Sequence, residues 1–155
     1  MLANGDFLSS TPQNTTQTPT PDKLTSNQVV LDDLYCLWKR GGYGFRPTER
    51  AEWITENNGK YGSVPWPWSS RIAEESWKGP LPAGTAAQAH THPEVTSQTS
   101  RTEPKPSTTG GNTGGEDQGT ADKLGLPVYV VTRNAIWNAI PNAKNPVQVA
   151  GKDWW

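Results

Sequence analysis

Residues 84–93 read GTAAQAHTHP, and the architecture depends on this run being a strand. Small residues dominate it, and small side chains suit a central strand that neighbours or a ligand approach closely. Along a strand, side chains alternate between faces, so His90 and His92 project the same way. They are the only 2 histidines among 155 residues. Two imidazoles presented to one point begin a metal site, but an ion such as zinc takes three or four N, O or S ligands, so a third must come from elsewhere. An isolated H-x-H also occurs as a pair of surface or core-satisfied histidines, and by itself it decides nothing.

Upstream of this run, NQVVLDDLYCLWKRGG carries Val30, Leu31, Leu34, Tyr35 and Trp38 at helical spacing. With Asn27 or Asp32 as cap and Gly41-Gly42 as stop, the spacing predicts a helix over 29–40. Next, ERAEWITENNGKYGSVPW has two short apolar runs about an Asn-Asn-Gly step, which predicts a β-hairpin turning at 57–59. Downstream, 94–116 is a polar, Gly/Pro-rich stretch, longer than a compact domain keeps without a functional reason or disorder. DQGTADKLGLPVYVVTRNAIW then predicts a helix over 117–124 closed by Gly125, the strand PVYVVT, and a turn into AIW. Helix, hairpin, strand, loop, helix and strand together make an α+β (α/β layered) domain.

Composition sets the scale. Hydrophobic residues are 32% of the chain, with 15 glycines and 14 prolines, which leaves one core of ~100 packed residues and a sizeable polar remainder. Residues 1–28, Thr/Pro/Gln/Ser-rich from residue 9, predict a disordered polar linker, and 29–155 the domain. A net charge of −1 without a Lys/Arg cluster disfavours nucleic acid. No basic segment followed by an apolar run marks a signal peptide, and no apolar stretch reaches ~18 residues, so no membrane span is expected. The single cysteine, Cys36 in LDDLYCLW, excludes an internal disulfide and reads as a small buried hydrophobe on the helix. Tryptophan is abundant, 8 residues. Trp66, Trp68 and Trp77 sit among prolines and polar residues, either as stand-ins for missing Leu and Phe in a small core or as the lining of a peptide or glycan groove. Trp154-Trp155 could dock or hang free.

A candidate third ligand is Asp117, at the start of DQGTADKLG, where a carboxylate is also favoured as a plain N-cap. The succession of an acidic residue in ERAEWI, then HTHP, a Pro-Ser step, and DxxxADKLGLPVYVVT resembles the JAMM (JAB/MPN-type) metalloprotease superfamily. The similarity is to its short bacterial members, the JAB-like domains attached to RHS-type and other polymorphic secreted toxin proteins, and covers about residues 30–140. It implies a cytidine-deaminase-like architecture, a small mixed sheet flanked by helices. It also implies Zn2+ held by His90, His92 and Asp117. The family's E-x-x-G-x-I/L pattern falls on Glu49 with Ile54, which makes Glu49 the catalytic carboxylate. Glu52 stands where the family has glycine and is the alternative. The family's S-x-x-D serine is missing, because Gly114 lies three residues before Asp117. Ser107 in KPS is the favoured replacement, with Thr113 and Ser100 (in SRTE, with Glu103) as alternatives.

The activity implied is hydrolysis of a peptide or isopeptide bond by a water whose pKa the metal lowers toward ~7. The implied substrate is a peptide or protein, a cell-wall peptide included, and the implied context is a module tethered to a larger secreted or phage-like assembly and delivered by a dedicated secretion system. The competing reading is an inactive, metal-free domain of the same fold that binds peptides or proteins. The missing serine favours that reading, and the retained histidines and aspartate oppose it. A nuclease using H-x-H would need a basic phosphate-binding surface that this charge balance does not offer.

Overall fold

The computed structural model describes residues 18–68, 77–94, 106 and 116–155. Helix α1 spans Gln28–Arg40, strands β1, β2 and β3 span Ala51–Asn57, Lys60–Pro65 and Thr85–Thr91, and helix α2 spans Glu116–Leu124. Strands β4, β5 and β6 follow at Val128–Val131, Ile136–Ala139 and Val147–Ala150. The strands form one six-stranded sheet in the order β2-β1-β3-β4-β5-β6. Its single parallel pair is β3 with β4, on either side of α2 in the chain, and its other pairs are antiparallel. This is a mixed α+β domain, and β3 lies inside the sheet as its small residues predict.

Local signals account for the element ends. Asn27 Oδ1 accepts from the Val29 N–H at 2.9 Å, capping α1. Asn58 (φ 52) and Gly59 (φ 77) both occupy the left-handed region, as the tight hairpin turn between β1 and β2 requires. Gly125 (φ 64) closes α2, its N–H donating to Ala121 O at 2.9 Å.

Each face of the sheet has its own apolar layer. On one side α1 covers Ile54, Ala87, Ala89, Tyr129, Val131 and Ile136 with Val30, Leu34, Leu37 and Trp38. On the other, Ala121 and Leu124 of α2 meet Val128 and Ala139. The terminal Trp154 and Trp155 dock against Trp38 at ring separations of 6.5 and 6.2 Å, and their indole N–H groups donate to Thr132 O and Arg133 O, each at 2.9 Å.

Three expectations need correction. Cys36 is exposed, because the buried stripe of α1 runs through Val30, Leu34, Leu37 and Trp38. Leu37 is fully buried, whereas Tyr35, one of the apolar residues at helical spacing, is 38% exposed. The packed region also begins before residue 29: Leu24 and Thr25 are 7% and 3% exposed, and Asp22 accepts from Tyr129 Oη at 2.7 Å and Asn138 Nδ2 at 2.8 Å. Burial first, then this hydrogen bond, pushes the Tyr129 hydroxyl pKa up. Finally, AIW opens a true strand, β5, and VQVA makes a sixth strand, β6. At four residues each, neither is long enough to display a period. The stretch 94–116 lies mostly outside the described residues. Among the described residues, no helix is long and apolar enough to cross a membrane.

Candidate metal centre

Cross-strand register builds the site. Ala51 on β1 pairs with His90 on β3, and Trp53 pairs with Gln88. Directly opposed residues share a face, so Ala51, Trp53, Gln88 and His90 lie on one side of the sheet. Glu52, Ala89 and Ile54, the intervening residues, lie on the α1 side. The ladder continues past the strand end. Thr91 N–H donates to Arg50 O at 2.9 Å, and His92 N–H donates to Val131 O at 2.9 Å. That keeps the alternation intact, so His92 emerges on the same side as His90.

The three expected ligands come together. His90 Nε2 lies 2.9 Å from Asp117 Oδ1 and 3.2 Å from His92 Nε2, while His92 Nε2 lies 3.6 Å from Asp117 Oδ2. One ligand atom from each residue falls within 4.8 Å of the others. Two ligands placed ~2.0–2.1 Å from a tetrahedral metal stand ~3.3 Å apart, so the observed separations bracket the spacing that a divalent ion requires. The donor set, two imidazoles and a carboxylate, suits zinc and neighbouring divalent metals. Side-chain exposures of 12%, 13% and 7% for His90, His92 and Asp117 keep the centre largely dry. Asp117 is not an N-cap: α2 begins at Glu116, so Asp117 sits in the first helical turn with its carboxylate turned to the histidines.

Glu49 joins them at the rim, with Oε1 3.8 Å from His92 Nε2. Glu52 does not. It lies on the opposite face, fully buried, with Oε2 accepting from Arg40 Nη2 at 2.7 Å and Oε1 without a hydrogen-bond partner. Burial raises its pKa to about 7. Arg40 opposes that shift, but its side chain is 41% exposed and its charge is screened. Positions 49 and 52 differ by an odd number, so one strand cannot send both side chains to one face. Ser107, Thr113 and Ser100 lie outside the described residues.

Two further features support the histidines. Gln88, buried at 3%, places Oε1 3.0 Å from His90 Nδ1 and donates Nε2–H to Ala89 O at 3.1 Å. Alternation could have flagged it, being two residues before His90 on the same strand. Just past His92, Glu94 N–H donates to Gly44 O at 3.0 Å, and its carboxylate accepts from Arg133 Nε. Arg133 in turn donates to Tyr43 O at 3.2 Å and stacks over Phe45 at 4.5 Å. This clamp holds the chain on which His92 rides.

Trp53, 2% exposed, meets Trp66 and Trp77 at ring separations of 5.1 and 5.9 Å. The three form a small aromatic core beside the metal centre on the same face, while Trp68 is 60% exposed. A groove of about 840 Å3, lined by Thr18, Pro19, Trp137, Val147, Gln148 and Lys152 among others, shares no residue with the centre. No protein-family model, curated protein or solved structure matches the chain.

Proposed function

We propose that this protein is a metal-dependent hydrolase of peptide or isopeptide bonds, with zinc as its metal and a JAB/MPN-like architecture. The observation that carries the reading is the convergence of His90 Nε2, His92 Nε2 and the Asp117 carboxylate at 2.9 to 3.6 Å, with the Glu49 carboxylate alongside. A mixed sheet in which β3 supplies His90, the position just past its end supplies His92 and α2 supplies the aspartate is consistent with the JAMM resemblance. That resemblance also supports peptide chemistry over other metal-assisted hydrolysis.

When bound, the metal supplies a Lewis acid and an acidified water. The chain's own part is then definite. His90, His92 and Asp117 would hold the ion, each offering one ligand atom. Glu49 lies at the rim, where its carboxylate takes the proton from the attacking water and delivers it to the departing nitrogen. The low exposure of these side chains strengthens each of these charge interactions.

The test separates Glu49 from the ligands. Zinc-loaded wild type and Glu49→Gln are each incubated with a peptide library and an isopeptide-linked substrate, and products are read by mass spectrometry. Glu49→Gln is expected to keep the metal and lose turnover by about 10²–10⁴-fold. Hydrolysis unchanged in Glu49→Gln would remove Glu49 from the chemistry. Metal retention without any hydrolysis by wild type would favour the inactive binding domain.

A further inference from the structure

We propose that Gln88 is a positioning residue that fixes the tautomer of His90, locking its proton on Nδ1 and so presenting the Nε2 lone pair to a metal. This inference rests on the metal-centre reading above and adds a residue that the JAMM resemblance does not supply.

The orientation of the Gln88 amide follows from its partners. Its Nε2 lies 3.1 Å from Ala89 O, and a backbone carbonyl can only accept, so the NH2 group must face Ala89. The opposite rotamer would bring two acceptor oxygens together. The amide oxygen is thereby directed at His90 Nδ1, 3.0 Å away. An amide oxygen also only accepts, so Nδ1 must carry the hydrogen. In a neutral imidazole that leaves Nε2 as the bare nitrogen, and Nε2 is the atom 2.9 Å from Asp117 Oδ1 and 3.2 Å from His92 Nε2. A carboxylate oxygen and an unprotonated nitrogen repel at that distance unless a proton or a metal cation lies between them. A chain of fixed polarity therefore runs from the Ala89 carbonyl through the Gln88 amide and the His90 ring to the metal centre.

The setting makes the lock stiff. Gln88 is 3% exposed, stands opposite the buried Trp53 across the β1–β3 ladder and lies beside Val128 on β4. In this buried setting, rotating the amide would cost both hydrogen bonds. Metal-bound histidines regularly donate their second N–H to such an outer partner, and losing it weakens metal affinity about 10–100-fold.

The decisive measurement is the His90 tautomer in the metal-free protein. It is read from two-bond 1H–15N correlations of 15N-histidine-labelled chain at a pH well above the ordinary histidine pKa of ~6.5. The expected wild-type pattern is a His90 whose Nδ1 is protonated, whatever proton Nε2 shares with Asp117 in the absence of a metal. Gln88→Met, which keeps length and removes both hydrogen bonds, is expected to give a mixture of tautomers and a zinc affinity about 10–100-fold weaker, measured by competition with a chromogenic chelator. Gln88→Glu keeps an acceptor for Nδ1–H and is expected to restore the wild-type tautomer. A wild-type His90 with a bare Nδ1, or a Gln88→Met in which Nδ1 stays as fully protonated as in wild type, overturns the proposal. If neither protein takes up zinc, the metal reading fails, while the tautomer measurement still decides the role of Gln88.

Discussion

On β3, Ala87, Ala89 and Thr91 turn toward α1 while Gln88 and His90 turn the other way, and the two sides of the sheet are held by different physics. The α1 side is close-packed hydrocarbon and indole, with Leu34, Leu37 and Trp38 fully buried and Trp154 and Trp155 docked on Trp38. The other side carries a smaller apolar layer under α2, the tryptophan trio, and the His90, His92, Asp117 and Glu49 cluster. Two glutamates three residues apart show the contrast most clearly. Glu49 joins the site, whereas Glu52 is buried against α1 with Arg40 as its partner. Alternation along a strand lets one short segment pack a core on one side and present candidate ligands on the other. Substitutions on the two sides should therefore be separable.

The largest effect is expected on the α1 side. Trp38→Ala empties the middle of that core, and truncating a buried aromatic of this size costs about 3–5 kcal/mol. Urea unfolding should show a loss in that range, or no folded state at all. A loss below ~1 kcal/mol would mean that the α1 side is not the stabilising one.

Next in size is the pH dependence due to Glu52. Its ordinary pKa of 4.5 rises to about 7 in the folded chain, so between those values the native state holds a proton that the unfolded chain has released. Its contribution to stability is fully present below the lower value and lost as pH rises through the higher one. The size is on the order of 3 kcal/mol. Glu52→Gln should flatten the fall in urea midpoint between pH 5 and pH 8 and leave the variant the more stable protein at the upper end. An unchanged slope would show that Arg40 keeps the carboxylate ionised after all.

The site side should respond to metal and hardly at all to truncation. Zinc at about a hundred times its Kd is expected to add ~2.7 kcal/mol of stability, and His92→Ala should abolish that gain. The metal-free variant should unfold within about 1 kcal/mol of metal-free wild type, since it gives up converging donors and little packing. The smallest effect is expected at exposed Cys36: Cys36→Ser should shift stability by less than ~0.5 kcal/mol, and the native thiol should react with a disulfide reagent without prior unfolding.

The features legible in the sequence were those set by local geometry. The parity of His90 and His92 placed them on one face, the Asn-Gly turn set the β1–β2 hairpin, Asn27 and Gly125 marked helix ends, and Asp117, singled out at the start of its helix, lies beside the two histidines. Effects arising only from packing were not legible. Nothing local distinguishes Leu37 from Tyr35 as the core residue of α1, and Leu24 and Asp22 look like linker until Tyr129 and Asn138 receive them. Strands β5 and β6 depend on the register of their neighbours. Gln88 was visible by alternation, but it became meaningful only when its amide was seen between Ala89 O and His90 Nδ1.

The central claim is that His90, His92 and Asp117 hold one metal ion. Elemental analysis of purified wild type beside His92→Ala and Asp117→Ala tests it most directly. The account predicts about one zinc per chain in wild type and essentially none in either variant. A wild type that carries no metal and takes up none on reconstitution would contradict it, leaving the cluster to be held together by protons alone.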